Sequence, residues 1–252
     1  MKKIALITGA TSGIGQATAL KAAEAGFEII ITGRREDRLQ QLAAEIRQKG
    51  SEVLSLCFDV RDAEAVKKAI ENLDDKWKNI AVLVNNAGLA VGVSPLQEGI
   101  LDDWERMIDT NVKGLLYVTR AVAPLMIQKN SGHIVNIASI AGKEVYPGGN
   151  VYCATKHAVD ALSRAMRTDM LKHNIKVTNI APGMVETEFS LVRYKGDAAA
   201  AKNVYKGMTP LTNEDIADTI LFAITRPAHV CLNDIVIMPP AKANSRDVNR
   251  EA

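Results

Sequence analysis

The sequence predicts an α/β fold, a doubly wound and mainly parallel sheet of about seven strands with helices on both faces. Three observations lead there. Short β-branched apolar runs alternate with amphipathic segments along the chain. The runs are nearly continuous in apolar residues, as expected of strands covered by helices on both faces and therefore parallel. Glycines mark the junctions, above all Gly9, Gly13 and Gly15 between the first run and the first amphipathic segment. Repeated strand–helix–strand units with right-handed crossovers wind such elements into one sheet.

The first strand is Ile4–Ile7, followed by a helix over 14–25 that stops at Gly26. Strands at 28–31 and 53–58 enclose a helix over 36–49. Leu39, Leu42, Ala43 and Ile46 form its apolar stripe, and Gly50 ends it. Asp62 caps a helix running to about Lys76. Strands at 80–84 and 133–137 flank a long helix from Asp103 to about Lys129. A helix over 151–173 leads to a strand at 176–180. Thr212 and Asn213 introduce a helix over 215–224, and 235–238 is the last strand. No linker, repeat or low-complexity stretch interrupts this order, so residues 1–252 read as one domain. The segment 183–210 is long for a connection and holds Gly196, Asp197, four consecutive alanines and Gly207. It reads as a substrate lid or as an ordinary surface excursion. The polar tail, 241–252, is expected to be disordered or to reach a neighbouring subunit.

Hydrophobic residues make up 47% of the 252 and charged residues 24%, enough to bury a large core in a water-soluble chain. Lys and Arg number 31 against 29 Asp and Glu, a formal net charge of +2. That balance gives no electrostatic case for nucleic acid or an anionic membrane. No stretch approaches the ~20 apolar residues of a membrane span, and the apolar run after Met1-Lys2-Lys3 is too short for a signal peptide. Cys57, Cys153 and Cys231 lie far apart in sequence, without metal-ligand or disulfide-framework spacing. A cytoplasmic protein without a metal is expected, with Cys57 a small buried hydrophobe in its strand.

The chemistry concentrates in a few places. Tyr152 and Lys156 stand four apart on a predicted helix, which puts a phenol and an ammonium on one face. A neighbouring cation favours phenolate and lowers the phenol pKa. Gly9, Gly13 and Gly15 form a GxxxGxG turn at a helix N-terminus, where backbone can approach phosphates. At the end of the second strand, where an acid often takes the ribose hydroxyls, Arg34 and Arg35 stand instead. Two guanidinium groups suit a 2′-phosphate and so favour NADP, the competing role being to start a solvated helix. Asp59 ends the third strand and either accepts from an adenine amino group or shapes a turn. In the lid segment, Arg193 is the first choice to anchor a substrate carboxylate and Lys195 the second. His133, His157 and the methionines Met107, Met126, Met166 and Met170 are read as packing residues.

The run Thr8–Gly15 with Asp59, Asn85-Asn86-Ala87-Gly88, Asn111, Ser139, Tyr152, Lys156 and Pro182-Gly183 resembles, in order and over nearly the whole length, the short-chain dehydrogenase/reductase family. Ile31-Thr32-Gly33-Arg34-Arg35, the segments 85–90 and 104–111, Gly148–Tyr152, the segment 188–197 and Arg226–Val230 resemble the NADP-dependent 3-hydroxy acid dehydrogenases that act on serine and L-allo-threonine. The resemblance implies a Rossmann-type fold and a homotetramer with the long helices around Asn111 and Tyr152 at one interface. It implies Tyr152 as acid or base, Lys156 as its partner and ribose ligand, and Ser139 as hydrogen-bond donor to the substrate oxygen. Asn111 shapes its helix and holds a relay water. NADP contacts are implied at Gly9, Thr11, Ser12, Gly13, Ile14, Gly15, Arg34, Arg35, Asp59, Val60, Asn86, Tyr152, Lys156, Pro182, Gly183, Val185 and Thr187. Substrate contacts fall to Ser139, Tyr152 and Arg193. The activity implied is oxidation of the 3-hydroxyl of small 3-hydroxy acids, and the reverse reduction. Two alternatives stay open, a 3-oxoacyl-carrier-protein or general carbonyl reductase and a noncatalytic NADP-sensing module.

Overall fold

A computed structural model describes residues 2–251, so Met1 and the last residue of the predicted tail, Ala252, lie outside the described residues. The strands are β1 (Ile4–Ile7), β2 (Glu28–Gly33), β3 (Val53–Cys57), β4 (Ile80–Asn85), β5 (Gly132–Ile137), β6 (Ile175–Pro182) and β7 (Asp234–Ile237). They form one seven-stranded sheet in the order β3-β2-β1-β4-β5-β6-β7, with every neighbouring pair parallel. Successive β1 side chains serve opposite faces. Ile4 and Leu6 join the core beneath α3 (Ala63–Glu71), α5 (Leu115–Gln128) and α6 (Asn150–Asp169). Ala5 and Ile7 join the core beneath α1 (Gly13–Glu24), α2 (Glu36–Gln48) and α9 (Asn213–Ile224). The strand order reverses between β1 and β4, so a crevice opens beyond their carboxyl ends.

The sequence and the structure part in several places. The long helix is three pieces: α4 (Leu101–Ile108), a π-helical turn over Asp109–Gly114, and α5. Gly114 lies where an added Cβ would come 2.8 Å from Val60 Cγ2, so the turn brings backbone hard against the loop that follows the third strand. The helix after Asp62 stops at Glu71, five residues before Lys76. Cys57 is exposed rather than buried, because β3 is an edge strand and Cys57 its last residue. The predicted lid carries two short helices, α7 (Glu188–Arg193) and α8 (Ala198–Asn203). Thr187 caps the first, accepting from Phe189 N–H, and Asp197 caps the second, accepting from Ala200 N–H. The polar tail folds back on its own chain: an antiparallel bridge joins Lys242 to Val248, and Glu251 N–H donates to the Gly207 carbonyl. The four methionines are buried as expected.

Candidate active site

Beyond the β1 and β4 ends lies a cleft of about 610 Å³ that runs from the glycine turn to α7. The glycine turn is built by its neighbours. Asn86 Nδ2 donates to the carbonyls of Thr8 and Gly9, and Thr8 Oγ1 accepts from the N–H groups of Asn86 and Ala87. Gly9 adopts φ +64, and a Cβ there would come 2.9 Å from Ala87 Cα. Any side chain would therefore break both the conformation and the contact.

The residues present fit a dinucleotide phosphate. Ser12 caps no N–H of α1 with its side chain, while Gly13 and Ile14 at that helix start line the cleft. Gly9, Thr11, Gly33, Arg34, Arg35, Asp59, Val60, Asn86, Pro182, Gly183, Val185 and Thr187 line it too. Gly15 does not; a Cβ on it would meet Asn86 Nδ2 at 2.4 Å and the Gly9 carbonyl oxygen at 2.5 Å, so it serves the packing of the turn. Arg35 folds over the turn, donating to Thr11 Oγ1 at 2.8 Å and Ser12 Oγ at 3.0 Å. Arg35 and Arg38 both reach Glu188 on α7, at 3.3 and 2.8 Å. Asp59 accepts from Arg61 N–H, Nε and NH2, and Arg34 stands 3.7 Å away. Burial raises the Asp59 pKa, but the Arg61 hydrogen bonds and the Arg34 charge outweigh it and hold the carboxyl below its usual range. Of the two readings of Asp59, the structure displays the turn-shaping one, and the residue also lines the cleft.

At the centre, Ser139, Tyr152 and Lys156 line the same cleft, all buried. Ser139 follows β5 and opens a one-turn 3₁₀ helix, Ile140–Gly142; its Oγ accepts from Ala141 N–H and donates to the Pro182 carbonyl at 3.4 Å. The second bond is long enough to yield the hydroxyl to another acceptor. Lys156 Nζ donates to the Ile137 carbonyl at 2.8 Å and stands 5.9 Å from the Tyr152 ring centre. Burial brings the Lys156 pKa down to about 8. The expectation of a lowered phenol pKa is reversed: burial, with Tyr146 nearby, pushes Tyr152 up, and the opposing Ser139 hydrogen bond and Arg193 charge do not overcome it. Desolvation exceeds the help of a cation in this enclosed site.

Asn111 lies in the π turn and does not line the cleft. Its Oδ1 accepts from Leu89 N–H, and its Nδ2 donates to the Leu89 carbonyl and to Thr155 Oγ1. The side chain thus joins the loop after β4 to α6, positioning the helix that carries Tyr152 and Lys156.

The two cations at 193 and 195 separate clearly. Lys195 pairs with buried Asp103 at 2.7 Å, so its charge is committed. Arg193 lies over the rings of Tyr146 and Tyr152, 5.2 and 5.5 Å from their centres. It donates to Tyr146 Oη at 2.6 Å, while its buried Nε has no partner. Among the described residues no carboxylate pairs with it. Sequence reasoning missed Tyr146, Met184, Phe189, Tyr205, Lys242 and Ser245, which also line the cleft. The Tyr146-Pro147-Gly148-Gly149 turn just before the Tyr152 helix was a readable signal for the first; the tail residues carried none.

Residues 3–196 match the family model of the short chain dehydrogenases. The chain belongs to the short-chain dehydrogenase family. It is 47% identical to sulfoacetaldehyde reductase 2 of Chromohalobacter salexigens over 244 residues, 96% of each chain. It is 48% identical to the NADP-dependent 3-hydroxy acid dehydrogenase YdfG of Salmonella typhi over 237 residues, 94% of each. The closed form of a serine dehydrogenase complexed with NADP+ superposes with a TM-score of 0.92 at 44% identity, covering 98% of this chain and 100% of that one. The family match takes in the helix that carries Tyr152 and Lys156, and the fully parallel sheet is that of the short-chain dehydrogenases.

Proposed function

We propose that this short-chain dehydrogenase uses NADP to oxidise the 3-hydroxyl of small 3-hydroxy acids, of the serine, L-allo-threonine and 3-hydroxyisobutyrate kind, and to reduce the corresponding carbonyls. The observation that carries the reading is Arg193: a half-buried guanidinium whose buried Nε has no partner, against the ring of Tyr152, with no carboxylate beside it among the described residues. A charge removed from water needs a counter-charge. A substrate carboxylate supplies one and, held there, brings the hydroxyl two carbons away toward the phenol. The NADP-dependent hydroxy acid and serine dehydrogenases among the relatives support the same cofactor and substrate class.

Arg34, Arg35 and the α1 start would hold the nucleotide, whose nicotinamide supplies the hydride acceptor when bound. The remaining work is the chain's own. Tyr152 takes the hydroxyl proton during oxidation and returns it during reduction, a contribution of typically ~10²–10⁴-fold. Ser139 donates to the substrate oxygen as negative charge develops there. Lys156 offers its charge to the phenolate and its N–H groups to the ribose. Asn111 positions the helix that bears both. The rings of Tyr146 and Phe189 exclude water beside Tyr152.

Apolar side chains exposed along α4 and α5, Leu101, Ile108 and Leu116, support a homotetramer assembled through the long helices, which light scattering tests. Among the described residues no helix is long and apolar enough to cross a membrane. For the activity, NADP+ reduction is compared for serine, L-allo-threonine, 3-hydroxyisobutyrate and simple alcohols. A clear preference for the acids is expected; equal use of the alcohols overturns the reading.

A further inference from the structure

The C-terminal strap brings a second cation to the cleft. Lys242 is 7% exposed and lines the cleft together with Ser245. Its ammonium donates to the Ser245 carbonyl at 3.1 Å, which occupies one of three N–H groups. It forms no ion pair among the described residues. Burial and the charge of Arg250 lower its pKa, against weaker opposition from Glu144 and Asp247.

The strap is anchored at both walls of the cleft. On one side Ser245 N–H donates to Glu144 Oε2 at 2.8 Å and Arg246 Nε to the Val145 carbonyl, next to Tyr146. On the other, Arg250 donates to the Val204 and Lys206 carbonyls, next to Tyr205. Asn244 turns the chain between them, its Oδ1 accepting from Arg246 and Asp247 N–H. A buried ammonium on an anchored strap is placed, not adventitiously covered, and the solvated face of a polar tail offers a lysine an easier position.

We propose that Lys242 is a second cationic contact for the anionic head of the substrate, and that it extends the site to sulfonate heads. This rests on the reading of Arg193 above. A planar carboxylate can be satisfied by one guanidinium in bidentate fashion. A sulfonate presents three oxygens in a pyramid, so a donor from a second direction adds to its binding.

The test compares 3-hydroxypropionate, 2-hydroxyethanesulfonate and 1-propanol with wild type, Lys242→Met, Lys242→Arg and Arg193→Met. Lys242→Met is expected to raise KM for the sulfonate about tenfold or more, as for loss of a charged hydrogen bond, and for the carboxylate less. KM for 1-propanol and all three kcat values stay within about twofold of wild type, and Lys242→Arg recovers most of the sulfonate effect. Unchanged sulfonate KM, or an equal rise for 1-propanol, overturns the assignment. If Arg193→Met abolishes the preference for acids while Lys242→Met leaves the sulfonate KM at the wild-type value, the Lys242 assignment alone fails. If wild type has no preference for acids, the hydroxy-acid reading fails and takes this one with it. Lys242→Gln replaces Lys242→Met if the latter does not fold.

Discussion

The two ends of the cleft hold arginines in opposite circumstances. At the nucleotide end Arg34, Arg35 and Arg38 have side chains 61%, 41% and 40% exposed, and each stands near an acid, Asp59 or Glu188. At the other end Arg193 lies over two tyrosine rings and meets no acid among the described residues. Exposed ion pairs contribute about 0–1 kcal/mol and exchange partners readily. An arriving 2′-phosphate can thus take over Arg35 at little cost. A partly desolvated guanidinium whose buried Nε has no partner lacks such freedom, so this end of the cleft suits an incoming anion. Helix α7 spans the difference, with Glu188 as its first residue and Arg193 as its last.

The largest effect belongs between the ends. Tyr152→Phe removes the exchangeable proton and is expected to lower kcat by about 10³-fold or more while NADPH binding, followed by fluorescence, stays near wild type. Near-normal turnover would place the chemistry elsewhere. Replacing Arg34 and Arg35 together by alanine should weaken NADPH about a hundredfold and NADH only a few-fold, from loss of charged hydrogen bonds to the 2′-phosphate. Equal losses would mean that the paired arginines serve the turn and not the phosphate.

A smaller effect sharpens the contrast between paired and unpaired charge. Glu188→Gln leaves Arg35 and Arg38 without a counter-charge, so NADPH should bind a few-fold more tightly and NADH about as before. Weaker NADPH binding would show that Glu188 orders the arginines more than it competes for them.

Lys156 extends the comparison to pH. Its pKa is about 8 in the folded chain against an ordinary 10.5. Between those values the unfolded chain binds the extra proton, so stability from this group rises with pH; below about pH 8 the benefit is absent and the charge stays buried. Lys156→Met is expected to raise Tm at pH 7 by a few degrees, with the gain shrinking above about pH 8. A lower Tm at pH 7 would mean that the Ile137 hydrogen bond outweighs the burial.

Much of this was legible locally. Apolar runs such as 28–31 and 80–84 announced buried parallel strands, and the Tyr152–Lys156 spacing announced one helix face. The Ser139–Tyr152–Lys156 group and the glycine turn meet in one cleft as their order along the chain implied. What escaped was pairing at a distance. Nothing near Glu188 shows that Arg35 and Arg38, some 150 positions earlier, take its charge. The polarity of 241–252 suggested disorder or contact with a neighbouring subunit, whereas Lys242 is buried and the strap around it bonds to residues about a hundred positions upstream. The π turn also escaped, because apolar spacing records which face is buried and not how each N–H is bonded. Arg193 was picked out by its place in the lid; its lack of an acid partner, which separates it from Lys195, needed the fold.

The central claim is that Arg193 is the missing half of an ion pair that the substrate completes. The most direct measurement is kcat/KM for 3-hydroxypropionate relative to 1-propanol, which differ only in the carboxylate, in wild type and Arg193→Met. The account predicts that the ratio falls by about a hundredfold in the variant, the worth of a charged, buried hydrogen-bonded pair, with 1-propanol changed less than about twofold. A ratio that stays at the wild-type value, with both substrates falling together, would contradict it.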